Sequence, residues 1–175
     1  MAEQKAISAG DVPAPTEAAP SLTPSFMAPT PLFHVTACNC ILHPATLVGG
    51  KVVLMYKWEP ERALQLIERE QITNFVGVPT QSWDLVNSPA FEKYDTSSLR
   101  AVGGGGAPSP TSLVGKVNDK VKNGNPQLGY GMTETNAFGP AITGSDYLSH
   151  PTSTGRASWP MMVEVRDENL KPVPT

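Results

Sequence analysis

In Leu99-Arg-Ala-Val-Gly-Gly-Gly-Gly-Ala-Pro108, a short apolar run enters four consecutive glycines and ends at a proline. Leu99 to Val102 predicts a strand. The glycines predict a turn where backbone meets a ligand closely, because no Cβ intervenes and positive φ is open to glycine. Pro108 and Pro110 then suit the start of a helix running to about Val121. Strand, glycine turn and helix together make half of a β-α-β crossover. The dinucleotide fingerprint does not fit, since Pro108 occupies the place of its third glycine, and no phosphate loop ending in Gly-Lys-Ser/Thr is present. A flexible turn without a ligand explains these glycines equally well.

Working upstream, Ile72 to Val78 predicts a strand closed by Pro79, followed by a short helix from Thr80 to Asn87. Lys51-Val-Val-Leu-Met-Tyr56 reads as a compact buried strand. Pro60 opens an amphipathic helix through Glu70, with Ala63, Leu64 and Ile67 at helical spacing. Downstream, Gln127 to Tyr130 predicts a strand, and Met161 to Asp167 another that enters a turn at Glu168-Asn169-Leu170 with a partner strand expected beyond it. The expected fold is α/β, built of parallel β-α-β units whose loops at the strand C-termini form the site. Residues 1–30 are Ala, Pro, Ser, Thr and Glu with few apolar residues, which predicts a disordered tail ahead of a folded region over 31–175.

Gly129-Tyr-Gly-Met-Thr-Glu-Thr135 carries more chemistry. Tyr130 offers a ring to stack on a base, Thr133 a hydroxyl for phosphate oxygens, and Glu134 a carboxylate for Mg²⁺. A polar turn with a threonine helix cap is the plain alternative. His34, Cys38, Cys40 and His43 invite a zinc reading, but Cys-x-Cys is not the usual pair spacing and the neighbours are apolar, which favours a packed element with inert thiols. Trp58, Trp83 and Trp159 are expected in packing.

The 175 residues suit one domain, and a net charge of -3 provides no basic stripe for nucleic acid. No secretory signal or membrane-length apolar run is present, and two closely spaced cysteines suit a reducing compartment, so a cytoplasmic location is expected.

Pro31-Leu-Phe-His-Val35, Gly105-Gly-Ala-Pro108 and Tyr130-Gly-Met-Thr-Glu134, with Ser153-Thr-Gly-Arg156 and Val163-Glu-Val-Arg166 after them, stand in a familiar order. Together they resemble the adenylate-forming superfamily of acyl-CoA synthetases, luciferases and peptide-synthetase adenylation domains, over most of the chain from residue 31. The resemblance implies that ATP converts a carboxylic acid, expected to be a fatty acid, to an acyl-adenylate that CoA then captures. It implies nucleotide binding by Gly105, Gly106, Ala107, Pro108, Gly129, Tyr130, Gly131, Met132 and Thr133, with Tyr130 against adenine. It further implies catalytic roles for Thr133 at phosphate and Glu134 at Mg²⁺, and an acyl pocket bordered by His34 and Gly104. The same resemblance calls for a phosphate loop, a ribose-holding aspartate and a C-terminal domain with a catalytic lysine, none of which these residues contain. The expectation is therefore an internal piece of a ligase, inactive by itself and completed by further subdomains of the same enzyme. The alternative is a non-catalytic module that binds nucleotide or another protein.

Overall fold

The computed structural model describes residues 23–159 and 161–173. Its frame is one seven-stranded sheet in the order β2-β1-β3-β4-β5-β6-β7. The strands are β1 (Ser25–Ala28), β2 (Lys51–Leu54), β3 (Asn74–Gly77), β4 (Ala101–Gly105), β5 (Asn125–Gly129), β6 (Pro140–Thr143) and β7 (Arg156–Ala157). β2, β1, β3, β4 and β5 pair in parallel, whereas β6 joins β5 antiparallel and β7 joins β6 antiparallel. The sheet is therefore mixed. The expected parallel units account for β2 to β5, and the chain reverses through residues 130–139 to form the antiparallel edge.

Helices cover both faces because successive strand residues point to opposite sides. Met27, Phe75 and Val102 face a core shared with helices Pro60–Glu70 (α3), Pro79–Asn87 (α4) and Thr111–Lys120 (α5). Phe26 and Ala28 face the other way, against Ala37, Ile41 and Ala45. Those three recur every fourth residue along a continuous helical stretch made of α1 (Val35–Ala37), a π turn (Cys38–Leu42) and α2 (His43–Leu47). A last short helix, Gly144–Ser149 (α6), packs Tyr147 on Val114 and Ile142.

The caps follow the sequence signals. Pro60 and Pro79 occupy first turns, where a missing N–H costs nothing. The Gln81 side chain accepts from Val78 N at 3.0 Å and donates to Pro29 O at 3.2 Å, fastening α4 to the segment after β1. At the other end of these strands, Ser25 N donates to Thr73 Oγ1 at 2.9 Å.

Four expectations are corrected. Ser25–Ala28 was expected in the tail but is a strand buried on both faces in the interior of the sheet; Pro24 and Pro29 bracket so short a run that it shows no periodicity. The tail itself, up to residue 22, lies outside the described residues. Lys51–Leu54 is an edge strand with Lys51 and Leu54 exposed, because an apolar run signals a strand without fixing its place. Met161–Asp167 forms no strand beyond a single Arg166–Pro172 bridge, and Met162, Val163 and Val165 face solvent. Trp159 is 91% exposed and outside the core clusters of the described residues, unlike Trp58, which lies 5.8 Å from the Phe75 ring. No helix among the described residues is long and apolar enough to cross a membrane.

Candidate active site

The order of connections fixes where a ligand can enter. After β1 the chain crosses to β2 on one side, then returns to β3 on the other, so the winding direction reverses beside β1. Crevices in open α/β sheets form at the C-terminal ends of strands at such a reversal. On this edge, along the C-terminal ends of β3, β4 and β5 and facing the segment that follows β1, lies a cavity of about 360 Å³. Its walls are Val76 of β3, Gly104 to Gly106, and Gln127 to Gly129, with His34, Thr36 and Cys40 from the facing helical stretch. Gly131 to Thr133, Ala137 and the β6 residues Ala141 to Thr143 complete it.

The glycines of β4 serve the sheet as much as the cavity. A Cβ on Gly104 would overlap the Gly77 carbonyl oxygen, and one on Gly105 the Gly129 carbonyl oxygen, so side chains there would push neighbouring strands apart. Gly104 also has φ 154, a conformation that L residues avoid. The wall that results is bare backbone. Among the described residues no Lys, Arg, Asp or Glu lines the cavity, and its polar groups are hydroxyls, the Gln127 amide, the Cys40 thiol, the His34 ring and main-chain amides.

The loop between β5 and β6 is held by its own bonds. Tyr130 N donates to Pro140 O at 2.9 Å, and the Thr135 hydroxyl donates to Phe138 O at 2.6 Å while accepting from Met132 N at 3.1 Å. This brings Thr133 to the cavity wall and leaves Glu134 beside it in solvent. The two glycine-containing loops thus converge on one cleft.

Of the residues singled out from sequence, His34, Gly104, Gly105, Gly106, Gly129, Gly131, Met132 and Thr133 line the cavity together. Ala107, Pro108, Tyr130 and Glu134 do not; all four are exposed, Tyr130 by 52%. Tyr130, expected against adenine, is not among the residues that line the cavity. Thr36, Gln127 and the β6 residues were not singled out, and Cys40 was weighed only as a zinc ligand or an inert thiol. Thr36 and Cys40 are four residues apart and so share one face of the helical stretch that His34 caps, but offsets of two and six from His34 are not helical spacing and gave no signal. The β6 residues carried no signal.

The His34 ring caps its own helix, Nδ1 accepting from Thr36 N at 3.1 Å. Burial pushes the Cys40 thiol pKa up, so it sits in the wall as a neutral group. Cys38 Sγ approaches His43 Nε2 at 3.7 Å, but no group of three His, Cys, Asp or Glu among the described residues gathers to hold a metal. A magnesium ion carried by a nucleotide needs less, since it takes one or two carboxylates and completes its shell with phosphate oxygens and water. The exposed Glu134 carboxylate next to Thr133 fits that donor set.

The profile of the AMP-binding enzyme family matches residues 4–175. The chain belongs to the AMP-binding enzyme family. Among curated members it is 36% identical to 4-coumarate-CoA ligase 1 of Narcissus pseudonarcissus over 113 residues, 65% of this chain and 20% of that one. It is 37% identical to feruloyl-CoA synthase of an Amycolatopsis species over 108 residues, 59% of this chain and 21% of that one. The match thus spans about a fifth of these AMP-binding relatives. The fold superposes on the N-terminal domain of FACL13 from Mycobacterium tuberculosis with TM-score 0.76 at 26% identity, covering 86% of this chain and 37% of that chain. It also superposes on the amide bond synthetase McbA of Marinactinospora thermotolerans with TM-score 0.72 at 32% identity, covering 87% and 30%.

Proposed function

We propose that this chain forms the nucleotide-facing and acid-facing part of an ATP-dependent ligase that activates a carboxylic acid as its adenylate and passes it to CoA. The observation that carries this reading is the neutral, glycine-walled cavity at the C-terminal ends of β3, β4 and β5, continuous with the Thr133–Glu134 turn. A flat, uncharged ring fits between bare backbone walls without burying a charge, whereas a triphosphate needs donors and a cation and belongs at the turn.

On this reading Gly105, Gly106, Gly129, Gly131 and Met132 border the nucleoside, with main-chain amides as donors. Thr133 donates its hydroxyl to a phosphate oxygen, and Glu134 holds Mg²⁺. When bound, that ion offsets the charge that gathers on phosphate as the carboxylate attacks. His34, Gly104, Thr36 and Cys40 border the acid. Tyr130, Ala107 and Pro108, at the mouth, reach a nucleotide only from outside the cavity.

For the acid, an aromatic acid is favoured over the straight fatty chain expected from sequence. The 4-coumarate and feruloyl ligases are aryl-acid enzymes by name, and Val35, Val76, Leu128 and Ile142 give the cavity apolar surface on which a ring can pack. The free thiols of Cys38 and Cys40 support a reducing, cytoplasmic setting.

The test is a titration of the ¹⁵N-labelled chain with AMP, then with ferulate and palmitate. Amide shifts centred on Gly104 to Gly106, Gly129 and Thr133 with AMP, and on Val76 and Ile142 with ferulate alone, are expected. Shifts scattered elsewhere, or none at millimolar AMP, would refute the nucleotide assignment. A response to palmitate that exceeds the one to ferulate would refute the aryl preference.

A further inference from the structure

Asn39 lies on the π turn Cys38–Leu42, outside the cavity wall, and Asn136 ends the turn that carries Thr133 and Glu134. Although 97 positions apart, they touch: Asn39 Nδ2 donates to Asn136 O at 3.3 Å and to Asn136 Oδ1 at 3.5 Å. Among the described residues this is the one side-chain hydrogen bond that reaches residues 130–139 from elsewhere in the chain.

The turn needs an external tie. Asn136 and Ala137 take φ 54 and φ 66 in succession, a region that a residue with a Cβ enters at a cost, smaller for asparagine than for alanine. The Thr135 hydroxyl holds the turn from within but bonds only to its own segment. Among the described residues Asn39 is the one side chain from outside the loop that hydrogen-bonds it, and it stands on the helical stretch packed on Phe26 and Ala28.

We infer that Asn39 is a positioning residue: by chelating Asn136 through both oxygens, its amide sets the turn that presents Thr133 and Glu134 to a bound nucleotide. The consequence for nucleotide binding rests on the function proposed above; the clamp itself does not. Asn39→Asp tests it sharply, because the side chain keeps its size, loses both N–H donors and sets a carboxylate against two oxygens. A mere packing role would leave that variant unchanged.

The experiment is amide hydrogen exchange on the full chain for the wild type, Asn39→Asp and Asn39→Ala, with ATP and Mg²⁺ titrated into each. The amides of Thr135, Asn136, Ala137 and Phe138, all bonded within the turn, report its opening. They are expected to exchange roughly three- to tenfold faster in both variants, the worth of a modest neutral hydrogen bond. Leu64 and Val117 in the helices should keep their wild-type rates, and ATP should bind more weakly by a similar factor. Asn39→Ala supplies the reading where Asn39→Asp does not fold. Wild-type exchange at Thr135 to Phe138 in the folded variants overturns the clamp. Faster exchange with unchanged ATP affinity overturns the positioning role. A wild type that binds no ATP overturns the nucleotide reading, and exchange then decides the clamp by itself.

Discussion

Replacing Gly104 with alanine should cost this fold about 3 kcal/mol, from two sources that add. The backbone at φ 154 is strained for any residue with a Cβ, at about 1–3 kcal/mol. The new methyl would also overlap the Gly77 carbonyl oxygen and lie 3.0 Å from Gly77 N, an overpacking worth about 1–3 kcal/mol. Neither neighbour can retreat freely, because β3 and β4 each have a strand on both sides. For a chain of this size about 3 kcal/mol corresponds to a fall in Tm of roughly 6–12 °C. A matched control runs the other way. Gly115 lies within the helix Thr111–Lys120, where an added Cβ meets nothing within 4 Å, so Gly115→Ala should gain about 0.5–1 kcal/mol. Urea unfolding followed by tryptophan fluorescence measures both, with Trp58 beside Phe75 reporting the core. A Gly104→Ala protein within 1 kcal/mol of wild type would show that β3 and β4 are not packed backbone to backbone, and the account of the cavity wall would fall with it.

Phe75→Ala removes a ring that is 0% exposed on an interior strand and should cost about 3–5 kcal/mol in the same assay. Burial raises the Cys40 pKa, so the folded chain favours the neutral thiol and iodoacetamide should label Cys40 more slowly than in the urea-unfolded chain. By linkage, that thiol's contribution is complete below the pKa of an unfolded cysteine and is lost as pH rises through the raised value; Cys40→Ala should flatten the fall in stability over alkaline pH. Lys51, and then Arg69, hydrogen-bond the Glu70 carboxylate and hold its pKa down. Its contribution is present above the ordinary carboxylate pKa and is lost as pH falls through the lowered one, and Lys51→Met should move the Glu70 titration upward by NMR.

The parallel part of the sheet was legible because each unit repeats one grammar. Pro60, Pro79 and Pro110 mark helix starts, and Ile72 to Val78 and Leu99 to Val102 are apolar runs with clear stops. β1 escaped because burial on both faces removes alternation, and a four-residue strand between prolines looks like linker. β6 and β7 escaped for another reason: Pro140-Ala-Ile-Thr143 and Arg156-Ala157 are held by backbone pairing to β5 and to each other, which composition does not record. In the candidate site, the glycines and Thr133 announced themselves by residue type. Thr36, Cys40 and Ile142 reach the cavity only through the tertiary arrangement, and Tyr130 shows the converse, a conspicuous residue that the turn of the backbone leaves at the mouth.

The placement of β1 bears on how the chain is made. Its partners, Lys51–Leu54 and Asn74–Gly77, both come later, and Gly77 lies 49 positions after Ala28. At about 5–20 residues per second of synthesis, Phe26 and Met27 wait roughly 2–10 s for the second of the strands that will bury them. The sheet therefore forms around a strand already waiting rather than by adding strands in order. During that interval the nascent chain displays the apolar side chains of Phe26, Met27 and Ala28, a target for whatever holdase meets them first.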